Sequence, residues 1–173
     1  MLEVQKSLGE FGRNVIKQSK ANLTRQGKRS SNGLYKGLAY DLNVTKNGFS
    51  LEFLAPSYAD FVDQGVSGKK KKYNTPFSFR NKMPPSEPIK AWIKQKKLFL
   101  RDEKGRFKKG GINSLSFLIR RSIYNKGLRP SLFFTKAFEG QFKKLPQELL
   151  DAYALDLDNF IDYTFQTNQK KLN

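Results

Sequence analysis

The chain has 173 residues, and its 33 lysines and arginines against 15 aspartates and glutamates give a net charge of +18 and a pI near 10.1. Such a balance points to a polyanionic or acidic partner. Cysteine and histidine are both absent, which excludes disulfides, thiolate catalysis, the commonest zinc ligand and the usual general base near neutral pH. With 38% hydrophobic and 13% aromatic residues the length suits a single α+β domain over 1–173 with a real core. No apolar run approaches the length of a bilayer crossing, and MLEVQKSLGEFGRN has neither the basic start nor the apolar centre of a signal peptide. The expectation is a cytosolic product without a membrane segment.

In chain order, Val4, Leu8, Phe11, Val15 and Leu23 share one stripe from Leu2 to about Gln26, a surface helix packed by one face. Gln26–Gly33 reads as a polar linker. Leu38, Tyr40, Leu42 and Val44 alternate with polar or small residues, as do Phe49, Leu51 and Phe53. Asn47-Gly48 between them predicts an antiparallel hairpin with one face buried. After Pro56, Ser57 can cap a short helix with Tyr58, Phe61 and Val62 inward, Asp60 and Asp63 outward, and Gly65 closing the turn.

The span 66–110 is a basic insertion: it holds 15 basic residues against Glu87, Asp102 and Glu103, a net +12. GKKKKY at Gly68–Tyr73 predicts a mobile loop, because adjacent lysines repel. Pro76–Pro88 reads as extended. Ile89–Leu98 reads as a short helix with a basic exterior, and Leu98–Lys109 as a hairpin closed near Glu103-Lys104-Gly105. The candidate contacts to a polyanion or acidic partner are Lys69, Lys70, Lys71, Lys72, Arg80, Lys94, Lys97, Arg101, Arg106, Lys108 and Lys109. A basic helix followed by a basic hairpin also has the layout of a winged DNA reader, but no preceding helix sits at helix-turn-helix spacing and lysines outnumber arginines.

Ser114–Phe138 is the long apolar-rich stretch. At helical spacing Leu115, Leu118, Ile119, Ser122 and Ile123 fall on one side, and Phe117, Arg120 and Tyr124 opposite; the latter three are candidates for a subunit interface. Gly127 predicts a left-handed cap and Pro130 a stop. A helical run follows over Ser131–Lys144, then a last helix from Pro146 to about Thr167. On it Leu149, Leu150, Tyr153, Leu157, Phe160 and Ile161 form a broad apolar face. Five acids and no lysine or arginine lie between Leu145 and Gln169, and Asp151, Asp158 and Asp162 join the candidate interface.

No cluster of acids near a lysine suggests metal-dependent chemistry, no activated Ser or Tyr stands out, and no Gly-rich phosphate loop occurs. The reading is of a protein without catalytic, cofactor or metal residues.

Tyr58-Ala59-Asp60-Phe61-Val62-Asp63-Gln64-Gly65 resembles the Tyr-Ala-x-x-Val-Glu-x-Gly element of tail-completion (head-tail connector, or neck) proteins of tailed bacteriophages. Arg129-Pro130-Ser131-Leu132-Phe133-Phe134-Thr135-Lys136-Ala137-Phe138 resembles their proline element, in which a proline turn launches the C-terminal helix. The order of elements is similar too, except for the 66–110 insertion, where compact members have a brief loop. The resemblance implies a small α+β virion subunit, assembled in the host cytoplasm. It would form a homo-oligomeric ring at the head-tail junction, between the portal and adaptor and the tail proteins. It assigns no chemistry to any residue. The alternative is a nonspecific nucleic-acid binder that grips phosphates with the insertion; a ring on the genome's exit path would touch DNA as well.

Overall fold

The computed structural model describes residues 2–28, 32–45, 48–101, 104–106 and 111–171, with side chains to residue 163. The chain is α+β, and it divides into two compact units, Met1–Pro56 with Phe133–Asn173, and Ser57–Leu132.

The first unit is built on helix α1 (Leu2–Arg25), whose Phe11, Val15, Ile16, Ser19, Asn22 and Leu23 are buried at helical spacing. A one-turn helix α2 (Gly33–Gly37) follows, just after the predicted linker, in a stretch for which no element is predicted. Strands β1 (Ala39–Thr45) and β2 (Gly48–Leu54) pair antiparallel from Ala39↔Leu54 to Thr45↔Gly48. The register is that of the Asn47-Gly48 hairpin, although Lys46 and Asn47 lie outside the described residues. Tyr40, Leu42, Phe49, Leu51 and Phe53 are the half-buried face, and Val44 at the hairpin end is exposed. Phe53 meets Phe11, Phe134 and Phe138 at ring-centroid distances of 6.2, 5.3 and 6.0 Å, all edge to face. Such pairs add about 0.5–1.5 kcal/mol each beyond burial.

Helices α3 (Ala59–Asp63), α4 (Ser86–Gln95) and α5 (Ile112–Lys126) belong to the second unit, while α6 (Thr135–Phe142) and α7 (Leu145–Lys171) complete the first. The α6 helix starts four residues later than the apolar run suggests. Leu132 has φ +50°, and the Ser131 and Leu132 N–H groups donate to the Asp63 carbonyl, so this stretch is a turn before it is a helix. On α7, Leu145, Leu149, Ala152 and Asp156 are the residues turned inward, a narrow stripe against α1. The broad apolar face expected of this helix is therefore mostly open: Leu150, Tyr153, Leu157, Phe160 and Ile161 are all exposed.

Asp156 ties the middle of α7 to the start of α1. Its carboxylate accepts from the backbone N–H groups of Glu3 (3.2 Å) and Val4 (3.1 Å), two of the donors that the first turn of α1 leaves without a helical partner. Burial pushes this carboxyl up, but the bonds from Val4 and Glu3 prevail, and its pKa is held below the ordinary aspartate value. A depressed folded-state pKa stabilises the fold above the unfolded value, about 4, and that contribution is lost as pH falls through the folded value. Acid titration of urea stability between about pH 5 and pH 2 should accordingly show a steeper fall for the native chain than for Asp156→Asn. That variant keeps an acceptor but loses the titrating charge.

In the second unit α4 begins at Ser86, three residues before the expected Ile89. Pro88 sits in the first turn, where a missing N–H costs nothing. The extended segment accordingly ends at Pro85. Asp63, expected to face solvent, is buried, and Tyr58, just before α3, and Phe61 on it, both expected inward, are exposed. The reason is the turn that packs on it: Ser131 donates from N–H and hydroxyl to the Val62 and Asp63 carbonyls at 2.6–3.3 Å. Val66 and Leu128 exchange backbone bonds of 2.9 and 2.8 Å. The Tyr58–Gly65 and Pro130–Leu132 elements, nearly seventy residues apart in sequence, are thus bonded to one another.

Candidate basic partner-binding face

The lysine run is pinned rather than mobile. Lys69 N–H donates to the Tyr124 carbonyl (2.9 Å), Lys70 and Lys71 N–H to that of Asn125 (2.9 and 3.2 Å), and Gly68 N–H to that of Lys71 (2.8 Å). Tyr124 and Asn125 lie in the last turn of α5, where carbonyls lack helical partners. The loop therefore caps the helix, and the Ser67 hydroxyl closes its base by accepting from Tyr73 N–H (3.0 Å) and donating to the Tyr73 carbonyl (3.1 Å). The negative end of the α5 dipole offsets part of the mutual repulsion of the lysines, about 0.3–1 kcal/mol per charge at an exposed site. A repulsion argument that treats the lysines alone misses this partner.

Lys70, Lys71, Arg121 and Lys126 line one cavity of about 390 Å3, together with Leu118, Ser122 and Asn125. Among the described residues, four cations and no carboxylate share this face. Such an arrangement can hold phosphate groups or a row of carboxylates; its lining suggests no bond-making chemistry. Arg121 and Lys126 are not among the sequence candidates. Their signal is position: Lys126 ends α5 immediately before Gly127, and Arg121 lies little more than one turn earlier, on the side that the loop approaches.

The remaining candidates are scattered. Lys94 and Lys97 rim a separate groove beside α4 and α5. Arg80 contributes its backbone carbonyl, which accepts from the Tyr124 hydroxyl (2.8 Å). Arg101 donates across a turn to the Gly105 carbonyl (3.3 Å), and Arg106 is exposed. Lys108 and Lys109 lie outside the described residues, as does part of the expected Leu98–Lys109 hairpin; no named strand occurs among its described residues.

The two faces expected of α5 are redrawn. The inward side is centred on Ser116 and includes Arg120 and Tyr124, while Leu118 and Ser122 are exposed. Arg120 Nε donates to the Pro84 carbonyl (2.6 Å), so Arg120 and Tyr124 strap the 80–84 segment to the helix. Of the three interface candidates on α5, only Phe117, 48% exposed, stands open. Asp151, Asp158 and Asp162 are all exposed on α7. Among the described residues no three acids, histidines or cysteines gather as a metal site would require, and no helix is long and apolar enough to cross a membrane. No family model, no curated protein and no solved structure matches this chain.

Proposed function

We propose that the chain is a structural subunit of a bacteriophage virion, without enzymatic activity, that assembles as a ring at the head-tail junction. The observation that carries this reading is that one chain exposes two complementary surfaces. One is the acid-bearing, apolar, open side of α7, and the other is the cationic surface of the second unit, whose two lysine-bearing grooves are lined by no carboxylate among the described residues. A single heterologous contact between unlike surfaces, repeated around an axis, closes a ring. The placement at the neck rests on the resemblance of the Tyr58–Gly65 and Pro130 elements, and their direct bonding gives those two short motifs a common structural purpose.

Quantitative mass spectrometry of purified particles, referenced to the major capsid protein, tests this. A copy number of roughly six or twelve is expected of a symmetric ring. Absence of the chain from the particle would remove the reading. The acid-free cationic cavity favours a second one, nonspecific binding of nucleic acid through phosphates. That reading requires DNA affinity that falls with salt by a log-log slope of roughly −0.9 per neutralised phosphate.

A further inference from the structure

We infer that the open ridge of α7 in one copy seats in the lysine-rimmed groove beside α4 and α5 of a second copy. This rests on the reading of the chain as a self-assembling subunit, and it names the contact.

On α7 the residues Leu150, Leu157 and Ile161 are 64%, 46% and 41% exposed, and each is followed directly by an acid: Asp151, Asp158 and Asp162. The spacing of seven and then four residues stacks both sets along the helix. Because successive residues lie about 100° apart, an apolar ridge runs with an acidic ridge at its side. A helix docked only on its own unit needs one apolar stripe, and α7 already has that stripe at Leu145, Leu149 and Ala152. A second, open one marks an interaction surface.

The receiving surface has matching chemistry. Ile93, Leu98, Ile112 and Leu115 line a groove of about 350 Å3 that also carries Lys94 and Lys97 and, among the described residues, no carboxylate. Lys97 occupies the place after the end of α4 that glycine usually fills: its φ is +51°, its N–H donates to the Lys94 carbonyl (3.1 Å), and Leu98 N–H reaches that of Ile93 (3.1 Å). This is the pattern of a Schellman cap, in which a side-chain-bearing residue is strained. Strain kept at one position argues for a use of the side chain there, and here it holds a cation at the mouth of an apolar groove.

Charge complementarity selects the occupant. Two α7 ridges facing each other would set acids against acids, and nucleic acid would be repelled by the same residues. A second copy offers an apolar groove with cations, and the contact is heterologous, as a ring requires.

The absence of cysteine permits a direct test with two full-length chains, each carrying one exposed substitution, Leu157→Cys in one and Leu98→Cys in the other. Mixed at low salt and treated with oxidant or a short bismaleimide, they should give cross-linked dimer about tenfold above either chain alone. The yield should collapse when the Leu98→Cys chain also carries Lys94→Glu and Lys97→Glu, and return in part when the Leu157→Cys chain carries Asp158→Lys. Far-ultraviolet circular dichroism verifies that each variant is folded, with Trp92 fluorescence as a second check for the Leu98→Cys chains, whose changes lie in the same unit. A mixture that cross-links no better than the separate chains, or cross-links dominated by Leu157→Cys pairs, overturns the groove contact whatever the copy number in the particle. Absence from the particle overturns the ring reading, and the cross-linking result still decides the contact.

Discussion

Replacing Gly127 with valine is expected to destabilise the Ser57–Leu132 unit by more than about 3 kcal/mol. Gly127 has φ +73° and ψ −171°, which is not the left-handed helical region of an ordinary cap but one that only glycine enters at ease. A Cβ there would also run into the Val66 carbonyl oxygen and, at 2.6 Å, the Gly68 nitrogen. These are backbone atoms, so no side chain can swing aside, and the two segments whose bonds hold the lysine loop on α5 would have to part. Trp92, the single tryptophan, lies in this unit, so its fluorescence during urea unfolding reads the effect. Gly105→Ala is the control: φ is +77° but nothing lies within 4 Å of the added carbon, and the cost should be about 1 kcal/mol. Equal losses in the two variants would mean that the crossing of segments contributes nothing.

The sequence is most legible where periodicity and burial agree. The α1 stripe at Phe11, Val15 and Leu23 and the alternating hairpin residues are readable because each element buries one face against its own unit. It is least legible where a residue's role is set by a distant backbone group. Asp63 is a polar position by composition, yet the Ser131–Leu132 turn packs over it. Arg120 and Tyr124 look like an outer face until the 80–84 segment supplies carbonyls for them, and Ser116, too small and polar to mark a core, is the centre of the α5 inward side. The same limit governs the cationic face. Its lysines are obvious in GKKKKY, but Arg121 and Lys126 join them only because the loop caps the helix that carries both.

Exchange of Lys69, Lys70, Lys71 and Lys72 for glutamate should reduce incorporation into the particle by well over tenfold, or about 1.4 kcal/mol at the least. The four exchanges lower the net charge of +18 by eight and reverse the sign of the loop. The fold should persist, since the loop is held by backbone N–H groups that glutamate also possesses. Glutamates would, however, meet the negative end of α5, an unfavourable exchange of about 0.3–1 kcal/mol per charge. Glutamine at the same four positions removes the cations without that penalty and separates lost charge from lost stability, with Trp92 fluorescence as the check. For an acidic protein neighbour, the glutamine chain should assemble poorly at low salt, and the native chain should weaken toward it as salt rises and screens the contact. For a phosphate backbone, the glutamine chain should instead show a DNA-binding slope shallower by about 0.9 for each lysine that had met a phosphate. Normal incorporation of the glutamine chain, with an unchanged slope, would take the lysine loop out of both readings and leave assembly to the α7 ridge and the α4 groove.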